Sequence, residues 1–108
     1  MSSHSYIPNP KNEAIFININ GKLFQRNKAK ISVFDSGFLL GDGVWEGIRL
    51  HQSVLVYIED HLERLYKSAE GILLDIGLQK EDLIKEINKT LTTNNMKDDV
   101  HIRLVISR

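Results

Sequence analysis

The chain has 108 residues, 14 Lys and Arg against 14 Asp and Glu, 42% apolar side chains and no cysteine. That is enough for one domain with an ordinary core, and the missing thiols exclude disulfide scaffolds, thiolate zinc sites and cysteine nucleophiles while fitting a reducing, cytoplasmic compartment. A net charge of zero and a pI near 6.9 exclude the basic footprint of a general nucleic-acid binder, and apolar runs of no more than about five residues are too short to span a membrane.

Residues 1–13, with Pro8 and Pro10 among serines and asparagines, predict a loosely tethered arm with no apolar segment of a secretory signal. Ile15–Ile19 reads as a short strand. It is closed by Asn20-Gly21, a dipeptide suited to a type I′ turn because both central residues need positive φ. Lys22-Leu23-Phe24 is the return strand and Gln25–Lys30 a polar connector. Ile31-Ser32-Val33-Phe34 predicts a third, buried strand leading into Asp35-Ser36-Gly37.

The stretch Phe38–Gly43 is too rich in glycine for a stable helix and too apolar for a plain solvent loop. Val44–Leu50 predicts a strand, turned by His51-Gln52-Ser53 into a further strand, Val54–Ile58. Short links between successive strands favour antiparallel pairing. Next comes a helix over 60–74, with Asp60 as N-cap and Leu62, Leu65, Ala69, Ile72 and Leu73 on its apolar stripe, ended near Gly77. A second helix over 80–94 carries Leu83, Ile84, Ile87 and Leu91 and stops at Asn94-Asn95, and Val100–Ile106 is a last strand. The fold class is α+β, two helices packed on a mainly antiparallel sheet.

The four histidines (His4, His51, His61, His101) share no metal-ligand spacing, and no serine sits in a GxSxG elbow. Gly41-Asp42-Gly43 reads as a tight corner between strands; it is neither a P-loop nor a GxGxxG fingerprint. Under the two-residue period of a strand, Val44, Glu46, Ile48 and Leu50 share the face turned to the helices. The other face carries Gly43, Trp45, Gly47 and Arg49, which suits a cavity wall. Gly47 marks either a bulge or room beside a ligand ring. Arg64 lies off its helix's apolar stripe, so it is solvated, paired at the surface or aimed at a phosphate. Arg103, between Ile102 and Leu104, either snorkels at a sheet edge or faces an anion.

Phe38-Leu39-Leu40-Gly41-Asp42-Gly43-Val44-Trp45-Glu46-Gly47-Ile48-Arg49, followed by His61-Leu62-Glu63-Arg64-Leu65-Tyr66-Lys67-Ser68-Ala69, closely resembles the class IV (fold-type IV) pyridoxal-phosphate aminotransferases. That family includes branched-chain and D-amino-acid aminotransferases, (R)-amine transaminases and aminodeoxychorismate lyase, and the resemblance runs from about Ala14 to Arg108.

It implies that Arg64 binds the cofactor 5′-phosphate. By the same match Leu40, Trp45, Arg49, His101 and Arg103 line the substrate pocket of a homodimer whose sites lie near the subunit interface. Gly47 and Arg49 stand where D-amino-acid members more often have valine and lysine, and Arg103 matches an arginine that helps branched-chain members accept a second carboxylate. Leu40 and His101 each stand where such members often carry tyrosine, which alters pocket shape and hydrogen bonding.

The implied activity moves an amino group between a branched-chain-like L-amino acid and 2-oxoglutarate; D-amino-acid transamination and aminodeoxychorismate cleavage are the same-fold alternatives. The family's cofactor-bonding lysine belongs to a larger C-terminal domain, and no lysine here corresponds to it. The resemblance therefore implies a small N-terminal domain over 14–108 that is not expected to catalyse by itself. A non-catalytic binding or assembly module is the alternative of another class.

Overall fold

The computed structural model describes residues 9–108. The first part of the arm expected over 1–13 lies outside them; beyond it Pro10–Asn12 forms one 3-10 turn, opened by Asn9, whose Oδ1 accepts from the Lys11 amide. Strands β1 (Phe16–Ile19) and β2 (Lys22–Gln25) pair antiparallel through the Asn20-Gly21 turn. Both turn residues have positive φ, 55° and 86°, as the type I′ reading requires. The Asn18 carboxamide closes the turn by accepting from the Gly21 amide.

The strand expected over Ile31–Phe34 does not form. The segment is irregular, and Phe34 is 81% exposed. Strand preference is realised only where a neighbouring strand supplies hydrogen bonds and packing, and among the described residues no strand lies beside these. A short helix, α1 (Ser36–Leu40), replaces the non-helical stretch expected from Phe38 on. Asp35 caps it by accepting from the Phe38 amide at 3.1 Å, and Gly41 ends it. The corner at Gly41-Asp42-Gly43 therefore joins a helix to a strand.

Strand β3 (Gly43–His51) is the centre of a three-stranded antiparallel sheet, flanked by β4 (Val54–Leu55) and β5 (Val100–Ser107). β4 is shorter than the strand expected over Val54–Ile58. Tyr57, in the left-handed region at φ 55°, turns the chain into helix α2 (Ile58–Gly71), which starts before Asp60 and ends before the residues expected to finish it. Asp60 therefore lies in the first turn rather than at the cap. Leu62, Leu65 and Ala69 are buried as expected, but Leu73 is exposed. It lies past the helix end at positive φ, and Leu74 takes the core position instead.

Helix α3 (Lys80–Thr93) opens with the Asp82 carboxylate accepting from the Gln79 amide and ends at Asn94. Val44, Leu62, Leu65, Ala69, Leu74 and Leu83 form one half of the core, and Ile48, Leu50, Ile87 and Leu91 the other. Asn94 also ties α3 to the β1–β2 hairpin, accepting from the Phe16 amide at 2.7 Å and donating to its carbonyl at 3.0 Å. The pairings are antiparallel and α2 and α3 pack on one side, as the α+β class predicts, but α1 is a third helix and the strands fall into two sheets. Among the described residues no helix is long and apolar enough to cross a membrane.

Candidate active site

β3 has two unlike faces, as its alternation predicts. Val44, Glu46, Ile48 and Leu50 are buried against the helices, while Trp45 and Arg49 stand on an open surface. β5 pairs with β3 in unbroken register from Gly43 opposite Ser107 to Leu50 opposite Val100. This register sets Arg103 across from Gly47 and His101 across from Arg49, so both side chains join the open face.

An unbroken register excludes the bulge considered for Gly47. The reason for glycine is steric: a Cβ there would stand 2.9 Å from Cε1 and 3.2 Å from Nε2 of the His101 ring. The room is filled by the chain's own imidazole. Beside it the Arg103 guanidinium lies 4.5 Å from the centre of the Trp45 ring, a cation–π stack on a ring that is 57% exposed. Arg103 thus lies on an edge strand, as one of its two readings expects, with its guanidinium over an aromatic ring. Trp45, Arg49, His101 and Arg103 form one surface; Leu40, the last residue of α1, is exposed outside the sheet.

Arg64 belongs to a different group. From α2 it meets Glu46 on the buried side of β3, with Nε donating to Oε2 at 2.9 Å and Nη2 to Oε1 at 2.6 Å. His61, one turn earlier, has Nδ1 2.7 Å from the same Oε1. Glu46 is only 5% exposed, whereas the Arg64 side chain is 67% exposed. The Arg64 bonds hold the Glu46 carboxyl down at about 2, against the upward pull of its own burial and with further help from His61. Glu46 in turn raises the Arg64 pKa. A cavity of about 300 Å³ opens here, lined by Tyr57, Asp60, His61 and Arg64.

Sequence reading did not identify Glu46 or His61. The available signal was a carboxylate on an otherwise aliphatic strand face, together with two basic side chains three residues apart on a helix. The two groups occupy opposite faces of β3, yet β4 pairs only with Leu50 and His51. The β3 edge over 43–48 has no strand beside it among the described residues.

The sequence model for the family described as amino-transferase class IV matches residues 43–108, which contain β3, α2, α3 and β5. The chain belongs to the class IV aminotransferases. It is 47% identical over 92 residues to a putative branched-chain-amino-acid aminotransferase of Methanocaldococcus jannaschii, covering 85% of this chain and 32% of the relative. It is 39% identical over 80 residues to the D-alanine aminotransferase of Staphylococcus haemolyticus, covering 74% of this chain and 28% of that one.

Among solved structures, the branched-chain aminotransferase of Thermoproteus uzoniensis with norvaline superposes at a TM-score of 0.78 and 34% identity, over 88% of this chain and 34% of that one. A branched-chain amino acid aminotransferase of T.th. complexed with N-(5′-phosphopyridoxyl)-L-glutamate superposes at 0.76 and 27% identity, over 85% and 32%. The chain thus spans about a third of the length of the relatives it matches.

The Arg64 side fits a phosphate ester in its chemistry. A mostly exposed guanidinium is clamped along one edge, its Nη1 makes no hydrogen bond to any described residue, and a cavity adjoins it. Asp60 is the one lining carboxylate that opposes an anion.

Proposed function

We propose that this chain is the small N-terminal domain of a pyridoxal-phosphate-dependent aminotransferase, with residues 14–108 forming the domain. The reaction proposed moves an amino group between a branched-chain-like L-amino acid and 2-oxoglutarate. The observation that carries the reading is the open face of β3 and β5, where Arg49 and Arg103 stand beside Trp45 and His101 within the family-matched segment. Two guanidiniums on one surface suit substrates that present one carboxylate or, as 2-oxoglutarate does, two. Trp45 and Leu40 supply apolar surface for an aliphatic side chain.

When bound, pyridoxal phosphate supplies the electron sink for the chemistry at the amino-acid Cα. This chain's residues bind and orient. Arg64 holds the phosphate ester, and Arg49 and Arg103 hold carboxylates. His101, seated on Gly47, shapes the space between them and offers a ring nitrogen for hydrogen bonding. A homodimer, with its sites near the subunit interface, and a cytoplasmic location belong to the same proposal. Identity above 40% to a branched-chain relative over most of the chain favours L-substrates.

The test is a panel of amino donors with 2-oxoglutarate, assayed with the complete protein. Turnover of L-leucine, L-isoleucine and L-valine is expected. Activity confined to D-alanine would reject the substrate assignment, and no transamination by a protein that retains pyridoxal phosphate would reject the reaction.

A further inference from the structure

One carboxylate holds both basic side chains that line the α2 cavity. Glu46 comes from the sheet, not from the helix, so its position is set by the core and does not move with α2 side-chain rotamers. Its two oxygens meet the Nε and Nη2 edge of Arg64 at 2.9 and 2.6 Å, a fork-on-fork arrangement that fixes the guanidinium plane. An exposed arginine without such a partner would spread over many rotamers and lose that entropy on binding a ligand. His61 is fixed by the same acceptor through Nδ1, 2.7 Å from Oε1. Among the described residues neither Nη1 of Arg64 nor Nε2 of His61 makes a hydrogen bond. Nη1 of Arg64, and Nε2 of His61 as a donor when the ring carries both protons, each tethered by its other edge, are therefore left over beside one cavity.

Charge balance gives His61 its part. Glu46 cancels the charge of Arg64, and Asp60 lines the same cavity. Arg64, Glu46 and Asp60 together carry one net negative charge, which a doubly protonated His61 would bring to zero, so a phosphate ester there depends on directed N–H donors rather than on net positive charge. We propose that Glu46 is a positioning residue that presents Nη1 of Arg64 and Nε2 of His61 together to the cofactor phosphate, and that His61 is a second phosphate-binding residue. The inference rests on the phosphate role proposed above for Arg64.

The test uses the complete protein freed of cofactor. Its affinity for pyridoxal phosphate is divided by its affinity for pyridoxal, which lacks the phosphate. A merely structural defect lowers both affinities and leaves the ratio unchanged. Glu46→Gln places an amide N–H₂ against the guanidinium and is expected to lower the ratio by about tenfold or more, with pyridoxal affinity unchanged. His61→Asn keeps a donor near the Nδ1 position but removes Nε2, and a severalfold lower ratio is expected.

Arg64→Ala reads the underlying assignment: an unchanged ratio there overturns the phosphate role itself. A lowered ratio in Arg64→Ala with an unchanged one in Glu46→Gln leaves that role standing and overturns the positioning proposal. A wild-type ratio in His61→Asn overturns the assignment of His61. Should Glu46→Gln not fold, Arg64→Lys replaces it, because lysine keeps the charge but cannot engage both oxygens edge-on; an undiminished ratio in that variant also overturns the proposal.

Discussion

The two faces of β3 are built from alternating residues of one backbone, yet they are held in place by different physics. On the buried face Ile48 is 0% exposed and packs with Leu50, Ile87 and Leu91, so its position follows from close packing. The charge on that face, Glu46, is anchored by three hydrogen-bonding contacts from α2. On the open face the side chains of Trp45, Arg49, His101 and Arg103 are exposed. Order there comes from pairwise contacts, with Arg103 on Trp45 and His101 on Gly47. The packed face makes a frame, and the open face keeps cationic groups accessible and only lightly held. A binding surface can use either device: a cation held by one stack stays free to meet a ligand, and Arg64, bonded to Glu46 along one edge, still offers Nη1.

The largest difference between the faces should appear on truncation. Ile48→Ala removes a fully buried side chain between the helices and the sheet, and a loss of about 2–5 kcal/mol is expected. Trp45→Ala, on the open face, forfeits the stack with Arg103 and is expected to cost about 0.5–1 kcal/mol. Denaturant midpoints at unchanged m-value measure both. Equal losses would mean that the open face is packed after all.

Acid should separate the faces next. The folded Glu46 carboxyl titrates at about 2, below its ordinary 4.5, because Arg64 bonds to the charged form. A depressed pKa gives stability that is fully present above the unfolded value and is lost as the pH falls through the folded one. The loss therefore runs from about pH 4.5 down to about 2. Its size is about 2 kcal/mol, discounted because the Arg64 partner is largely solvent-exposed. Unfolding series across that window should be steep for the native chain and flatter for Glu46→Gln. Trp45→Ala should leave the slope as it is.

Periodicity made the β3 alternation, the stripes of α2 and α3 and the final strand readable, because burial on one face imposes a repeat that the sequence must carry. It failed where burial does not decide. Ile31–Phe34 has strand composition but no partner strand among the described residues, and α1 is made by the Asp35 cap and the Gly41 stop in spite of Gly37 in its first turn. The site was legible in the same uneven way. Trp45, Arg49 and Arg103 stood out as polar or aromatic residues on a strand face, and Arg64 through family resemblance. Glu46 and His61 did not, since their importance lies in a contact between residues fifteen positions apart that no local pattern encodes.

Gly47 offers the finest test of the open face. Its backbone does not occupy the left-handed region, so alanine there is conformationally acceptable and, by restricting the unfolded chain, favours folding by about 0.4–1 kcal/mol. Against this stands the Cβ approach of 2.9 Å to His101 Cε1, the far end of an exposed side chain that can swing away. The two effects nearly cancel, so Gly47→Ala should change stability by less than about 1 kcal/mol while moving the imidazole. In a His101→Ala background the collision is gone and Gly47→Ala should become plainly stabilising. The double-mutant cycle, read by denaturant unfolding and by the His101 Cε1 proton resonance, measures the coupling. If Gly47→Ala has the same effect in both backgrounds, the imidazole is not what the glycine accommodates.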